Sequence, residues 1–111
     1  MNNLRSLAER CWPRSLRELR SHYPKAAIFC ALGPALNDNW PEGRMALTRA
    51  RHGVKGAVDA LHAAGDPKVF FVEFPVQTGA NGYGCDWHPS VRTHELMGAQ
   101  LETELREKMG W

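Results

Sequence analysis

Two short apolar segments, separated by a helical pattern, constrain the fold of this 111-residue chain more than any other feature. Residues 26–32 read Ala-Ala-Ile-Phe-Cys-Ala-Leu without a polar side chain, and residues 68–74 are rich in β-branched and aromatic side chains. Continuous apolar runs of this length are typical of strands that are covered on both faces, as in parallel sheets. We therefore predict two parallel strands.

Helical patterns flank and separate the predicted strands. Residues 44–64 and 89–108 carry apolar side chains at three- and four-residue steps, which predicts amphipathic helices. Residues 4–22 have a similar composition, but Pro13 lacks an amide donor and predicts two short helices rather than one. The order helix, strand, helix, strand, helix predicts an α/β fold with a short parallel sheet, formed as a single domain over residues 1–111.

The ends of the predicted strands indicate where a site would form. In open α/β sheets ligands lie beyond the carboxyl ends of the strands, so we expect the loops over residues 33–43 and 75–88 to lie together. A sheet of two strands also leaves backbone groups along its outer edges without partners. Such a sheet resembles half of a larger one, and it predicts self-association or partner binding through an open edge.

The segment Gly82–Ser90, Gly-Tyr-Gly-Cys-Asp-Trp-His-Pro-Ser, contains the strongest candidate for a chemical role. His88 lies at the predicted start of the last helix, with Pro89 at the first helical position. Imidazole can act as an acid or a base near neutral pH. From position alone, a packed or helix-capping histidine is the alternative.

Three further residues are candidates for the same site. Asp86 either orients the imidazole of His88 through a hydrogen bond or caps the final helix, and the sequence leaves both readings open. Trp87 and Trp40 lie in the two loops and offer aromatic faces for a sugar ring or an acyl group, with core packing as the alternative. The chain contains no Gly-Asp-Ser or Gly-x-Ser-x-Gly motif, so the base is present without a nucleophile.

Charge and cysteine content exclude several classes of function. A formal net charge of +2 gives no field that would favour nucleic acid as a partner. We predict no membrane association, because no apolar run approaches about twenty residues, and the N-terminus has no signal-peptide pattern. The cysteine spacing does not predict a zinc site. A disulfide between Cys30 and Cys85 stays open, since it depends on an oxidising compartment.

The segments Tyr23–Cys30, Ala64–Val69 and Gly82–Ser90 together resemble the C-terminal half of SGNH (GDSL-type) esterases. The branch that they resemble is that of the carbohydrate-esterase-family-two-like acetylxylan esterases. The resemblance runs from about Leu16 to the end, and residues 1–15 match poorly. It implies part of a three-layer flavodoxin-like fold, and hydrolysis of a small acyl ester or an acetylated carbohydrate without metal or cofactor.

The resemblance also implies roles for individual residues. His88 matches the catalytic base of the family, whereas the blocks that carry the nucleophilic serine and the oxyanion hole precede the matched region. In the wider superfamily an aspartate stands three residues before the histidine, where this chain has Cys85. A pair of serine and histidine oriented by a main-chain carbonyl is therefore an alternative to a triad that includes Asp86.

These features lead to two functional hypotheses. The first is the C-terminal portion of a serine esterase, from a truncated gene or a start codon assigned too far downstream, and inactive alone. Complete relatives are expected to be exported, while the localisation of this chain stays open. The second is a non-catalytic half-domain that binds a partner through its open sheet edge or has no role. Whether the chain is itself an enzyme stays open, because the family hydrolyses carboxylic esters whereas this chain lacks the nucleophile block.

Overall fold

The structure, a computed structural model, describes residues 7–111. It confirms the predicted α/β class, with two parallel strands in one sheet. The elements of the described residues are α1 (Leu7–His22), β1 (Ile28–Leu32), α2 (Ala46–Ala63), β2 (Val69–Glu73), a 3₁₀ turn (Cys85–Trp87) and α3 (Val91–Met109).

The chain divides into two compact units, and both strands run from the first into the second. The first unit extends to Cys30 and includes Asp38–Phe71, whereas the second comprises Ala31–Asn37 and Val72–Trp111. The loop after each strand therefore begins in the second unit.

The core of the first unit is formed where α1 packs against α2. The buried side chains of α2 recur at three- and four-residue steps, as its sequence predicted. Removing such apolar side chains from water stabilises the fold by about 1.5–3 kcal/mol each. The main buried residues of this unit are Leu16, Leu47, Val54, Ala57, Val58, Leu61 and Val69.

The prediction that Pro13 splits the first helix is wrong, because α1 is continuous through this residue. A proline in a helix interior costs about 3 kcal/mol, since it removes a hydrogen bond and crowds the preceding turn. Packing against α2 offsets this cost: Leu16, three residues after the proline, is only 4% exposed. Tertiary packing thus outweighs the local preference for a break.

The side chain of Arg20, near the end of α1, joins the starts of both strands. Its Nε donates to the Asp66 carboxylate at 2.7 Å, and Nη2 donates to the Lys68 carbonyl at 3.2 Å. Nη1 donates to the carbonyls of Tyr23 and Ala26, in the turn that leads into β1. One guanidinium therefore fixes the segments that precede β1 and β2.

The loop before α2 supplies the cap that the helix itself lacks. The residue that precedes the helix, Met45, makes no side-chain capping bond. Instead, the carboxylate of Asp38 accepts hydrogen bonds from the Thr48 amide at 2.8 Å and from its hydroxyl at 2.5 Å. These bonds hold the pKa of Asp38 below its usual range. Asp38 thus stabilises the first turn of α2.

In the second unit, the caps of α3 are set by the residues on either side of it. Ser90 is the N-cap, and its side chain accepts a hydrogen bond from the Thr93 amide at 3.1 Å. The predicted placement of Pro89 at the first helical position is therefore wrong, because Pro89 precedes the cap. Gly110 ends the helix at φ 70°, a left-handed conformation that glycine adopts without strain.

We predict that Arg20→Met lowers the free energy of unfolding by about 2 kcal/mol, since charged hydrogen bonds at a partly buried site are lost. The matched control is Arg106→Met, which removes an exposed pair with Glu102 on α3 and should cost about 0.5 kcal/mol or less. Urea denaturation of both variants measures the difference. Equal losses would show that Arg20 is no more than a surface charge.

The same contact predicts a dependence of stability on pH. The hydrogen bond from Arg20 lowers the pKa of Asp66 in the folded chain. Its stabilising effect is therefore present above the unfolded pKa of about 3.9 and is lost as the pH falls through the lower folded pKa. Below about pH 4, the unfolding free energy of the unchanged chain should decrease more steeply than that of Asp66→Asn. Parallel curves in acid denaturation would contradict this.

Candidate active site

The imidazole of His88 has one nitrogen fixed by the main chain and one that is accessible. Its Nδ1 lies 2.7 Å from the carbonyl oxygen of Cys85. A carbonyl only accepts hydrogen bonds, so Nδ1 carries the proton and Nε2 presents a lone pair. Nε2 has no partner among residues 7–111, and the residue is exposed. This is the tautomer that a general base requires.

The loop that carries His88 is tightly turned. Asp86 and Trp87 both have left-handed backbone conformations, with φ of 50° and 62°. Such conformations cost about 1–3 kcal/mol each for residues other than glycine and persist only where surrounding contacts hold them. Two such contacts are main-chain bonds: His88 N donates to Cys85 O at 3.0 Å, and Gly84 N donates to His88 O at 2.8 Å. The carbonyl oxygen of Cys85 thus accepts two hydrogen bonds from His88, one from the backbone amide and one from Nδ1.

Gly84 is needed where this loop closes on itself. A Cβ atom at this position would lie 3.2 Å from the carbonyl oxygen of Pro89, closer than ordinary van der Waals contact. The same region pairs Tyr83 with Pro89 in an isolated antiparallel bridge. A side chain at Gly84 would therefore require these two backbone segments to shift by a few tenths of an ångström.

Gln77, in the segment that follows β2, supports the same loop, and no sequence pattern predicted this role. Its Nε2 donates to the carbonyl of Trp87, the residue before His88, at 2.6 Å. Its backbone amide donates to Pro34 O at 2.9 Å, which joins the starts of the loops after β1 and β2. The Oε1 atom is buried and has no hydrogen-bond partner among the described residues. Gln77 therefore positions the peptide on which His88 depends.

Asp86 does not cap α3, because Ser90 does. At Nδ1 of His88, the place of an orienting carboxylate is taken by the carbonyl of Cys85. The carboxylate of Asp86 is exposed, and its catalytic role stays a prediction.

The two tryptophans expose their rings rather than packing in a core. Trp87 is 76% exposed, and the ring of Tyr83 meets it edge-on at a centroid distance of 5.3 Å. Trp40, in the first unit, is also 76% exposed. Core packing is therefore wrong for both. Each offers an aromatic face of the kind that stacks on sugar rings.

Ser90 is unsuited to act as the nucleophile. Its hydroxyl donates to the carbonyl of Asn81 at 2.7 Å while it accepts the capping bond of α3.

The cysteines Cys11, Cys30 and Cys85 are free, and burial raises the pKa of the Cys30 thiol. Within residues 7–111, no cluster of three or more His, Cys, Asp or Glu side chains is placed to hold a metal ion. No helix in that range is long and apolar enough to cross a bilayer.

The α/β arrangement of the described residues matches part of the fold of the SGNH-type hydrolases. No known family profile matches the chain. It is 42% identical, with a TM-score of 0.81 over 93% of its length, to a family-two carbohydrate esterase from Clostridium thermocellum that was solved with cellohexaose. A family-two enzyme with a carbohydrate-binding domain, from Corynascus thermopiles (Myceliophthora fergusii), matches with a TM-score of 0.79 and 31% identity over the same share.

A curated relative leads to the same family. The cellulase/esterase CelE of Acetivibrio thermocellus is 47% identical over 96 residues, or 86% of this chain. The chain is thus homologous to part of the family-two carbohydrate esterases, and its resemblance to the C-terminal half of such an enzyme is confirmed. It spans 11% of the length of CelE and 30% of each of the two solved esterase chains.

The geometry predicts one dominant tautomer of His88, with the proton on Nδ1. Long-range ¹H–¹⁵N spectra of the neutral imidazole should show Nδ1 protonated and Nε2 unprotonated in the unchanged chain. Gln77→Ala should increase the fraction with the proton on Nε2, since the bond to the Trp87 carbonyl is lost.

The matched control is Gln100→Ala, which removes a similar amide-to-carbonyl bond, that to Glu73 O at 2.9 Å. This variant should leave the imidazole signals of His88 unchanged. A predominant Nε2–H tautomer in the unchanged chain would contradict the assigned geometry.

Proposed function

We propose that this chain supplies the catalytic base of a carbohydrate esterase, with His88 as that base. The observation that carries the proposal is the contact of His88 Nδ1 with the Cys85 carbonyl, which leaves Nε2 free and accessible. The nucleophilic serine and the oxyanion donors would come from the part of the esterase that these residues do not include.

In the assembled site, Nε2 of His88 accepts the proton of the serine hydroxyl as the serine oxygen attacks the ester carbonyl carbon. The imidazolium then returns that proton to the leaving alcohol, and an acyl-serine remains. A water molecule attacks the acyl group in the second half of the cycle, again with His88 as the base. The serine and the imidazole are restored when the carboxylic acid leaves.

The Cys85 carbonyl performs the orienting role that a carboxylate has in a triad. It fixes the tautomer, and its dipole stabilises the imidazolium that forms when Nε2 takes a proton. A dipole stabilises a cation less than a full negative charge does, yet the left-handed turn at Asp86 and Trp87 holds this one in place before the reaction. The proposed mechanism therefore does not require Asp86.

The proposed substrate is an acetylated carbohydrate. Trp87 lies directly before the base and exposes its ring, which suits stacking on a sugar next to the ester group. Trp40 is a second exposed ring of the same kind. The homologous esterase from Clostridium thermocellum in complex with cellohexaose supports a carbohydrate rather than a lipid ester.

A non-catalytic role is the second candidate, favoured by the absence of a serine motif from the 111 residues. Under this reading the chain binds a partner and His88 is only a loop residue. The two candidates differ in what His88 does once a nucleophile is supplied.

A chimaera tests this difference. The matching segment of the Clostridium thermocellum esterase is replaced by this chain, and turnover of a chromogenic acetyl ester is measured. We expect the chimaera to be active and His88→Ala to reduce kcat/KM by about a thousandfold or more, because the general base is lost.

Asp86→Asn in the same chimaera is the matched comparison. It should reduce kcat/KM by less than about tenfold, against the roughly 10⁴-fold loss seen where a carboxylate orients the imidazole. A folded chimaera whose activity is the same with His88 or alanine would contradict the proposed base. A large loss of kcat/KM in Asp86→Asn would favour a triad in which Asp86 orients the imidazole of His88.

A further inference from the structure

The backbone of Trp87 and its indole ring are held by different contacts. Gln77 fixes the peptide, because its Nε2 donates to the Trp87 carbonyl at 2.6 Å. Within residues 7–111, the indole meets one other aromatic ring, that of Tyr83, at a centroid distance of 5.3 Å and an interplanar angle of 72°. Edge-on aromatic pairs of this kind attract each other. The direction of the indole therefore depends on Tyr83 rather than on the hydrogen bonds of the loop.

The contact with Tyr83 leaves a face of the indole available to a ligand. An edge-on ring covers at most one face of its partner, and Trp87 is 76% exposed. Because a sugar ring stacks on an aromatic face, the direction of that face decides where the sugar lies relative to the neighbouring His88. A mobile side chain loses rotamer freedom when it binds, which weakens affinity. An indole that is already oriented avoids this loss.

The ring of Tyr83 is itself held in place by the loop. Tyr83 pairs with Pro89 in an isolated antiparallel bridge, and its ring lies close against Gly79. A Cβ atom at Gly79 would lie 3.1 Å from Cε2 and 3.2 Å from the hydroxyl oxygen of Tyr83. Gly79 has φ of 90°, and its carbonyl accepts a bond from the Gly82 amide at 3.0 Å. Glycine adopts this conformation without strain and leaves room for the ring.

We propose that Tyr83 is a positioning residue for carbohydrate recognition, whose ring orients the indole of Trp87 for stacking on the sugar that carries the ester group. This inference rests on the proposed function, in which Trp87 binds the sugar. The hydrogen bonds around His88 involve the main chain and Gln77, and none involves the Tyr83 ring. Loss of that ring therefore affects the binding of a sugar and leaves proton transfer by His88 unchanged.

NMR of the 111-residue chain tests the ring contact. We expect NOEs between the ring protons of Tyr83 and Trp87. Tyr83→Leu should shift the ring resonances of Trp87, because the ring current of the phenol is lost, whereas Tyr83→Phe should keep the NOEs. The matched control is Tyr23→Leu, which changes the other tyrosine of the chain, 59% exposed, and should leave Trp87 unchanged. Absence of the NOEs, or Trp87 resonances that Tyr83→Leu does not shift, would overturn the proposal.

The chimaera with the Clostridium thermocellum esterase tests the role in recognition on two substrates, acetylated cellohexaose and the small chromogenic acetyl ester. Tyr83→Leu should raise KM for the oligosaccharide by about five- to tenfold at similar kcat, because the orienting aromatic pair is lost. On the chromogenic ester kcat/KM should change by less than about twofold. Tyr83→Phe should restore the KM for the oligosaccharide. Equal losses on both substrates would overturn the proposal.

A double variant separates an action through Trp87 from an independent contact of Tyr83 with the sugar. Trp87→Ala should raise KM for the oligosaccharide at least as much as Tyr83→Leu does, and the two changes together should be no worse than Trp87→Ala alone. Additive losses would overturn the proposal. If urea unfolding shows that Tyr83→Leu is not folded, Gly79→Ala replaces it, since its methyl group displaces the Tyr83 ring. A displaced ring with an unchanged KM would overturn the proposal as well.

Failure of the proposed function gives a different result. If the folded chimaera has no ester turnover, or has the same turnover after His88→Ala, the proposed base is contradicted, and the affinity for cellohexaose replaces KM. Tyr83→Leu should then weaken this affinity by about five- to tenfold, and an unchanged affinity would overturn the role of Tyr83. Conversely, turnover that requires His88 but has the same KM for the oligosaccharide in Tyr83→Leu would contradict Tyr83 alone.

Discussion

The contacts of the Arg20 guanidinium hold together the segments that precede both strands. This one side chain binds Asp66, the turn before β1 and the Lys68 carbonyl, which also accepts the first bond of the β1–β2 ladder. The relative position of the strand starts follows from it.

The second constraint is the turn before His88. Two consecutive left-handed residues bring the Cys85 carbonyl under the imidazole, and Gln77 holds the intervening peptide from the end of β2. The backbone therefore determines the histidine tautomer without a carboxylate. This arrangement supports the proposed pair of serine and histidine, in which no carboxylate orients the imidazole.

Much of the fold could be predicted from local patterns. The apolar runs predicted β1 and β2, and periodic apolar residues with a terminal glycine predicted α2 and α3, because burial and capping act within a few residues. The continuity of α1 through Pro13 could not be predicted from local patterns, because it depends on packing against α2, over thirty residues away in the sequence.

Within the candidate site, the loop and the resemblance predict a catalytic role for His88, and that role stays a prediction. The orienting Cys85 carbonyl has no sequence signal, because every residue has a main-chain carbonyl. The side-chain bond from Gln77 to the Trp87 carbonyl has none either, because only the fold brings these two residues together. Two side-chain contacts with carbonyls of β2 could not be predicted either, those of His62 with Val69 and of Gln100 with Glu73. In the sequence, His62 and Gln100 look like ordinary helix residues.

The central claim is that a main-chain carbonyl orients the catalytic base. The most direct measurement is the scalar coupling across the hydrogen bond between ¹⁵Nδ1 of His88 and the carbonyl carbon of Cys85, in uniformly labelled protein at neutral pH. The account predicts a resolved coupling between these two nuclei. A coupling to the carboxyl carbon of Asp86, or an imidazole that averages over several orientations with no coupling, would contradict it.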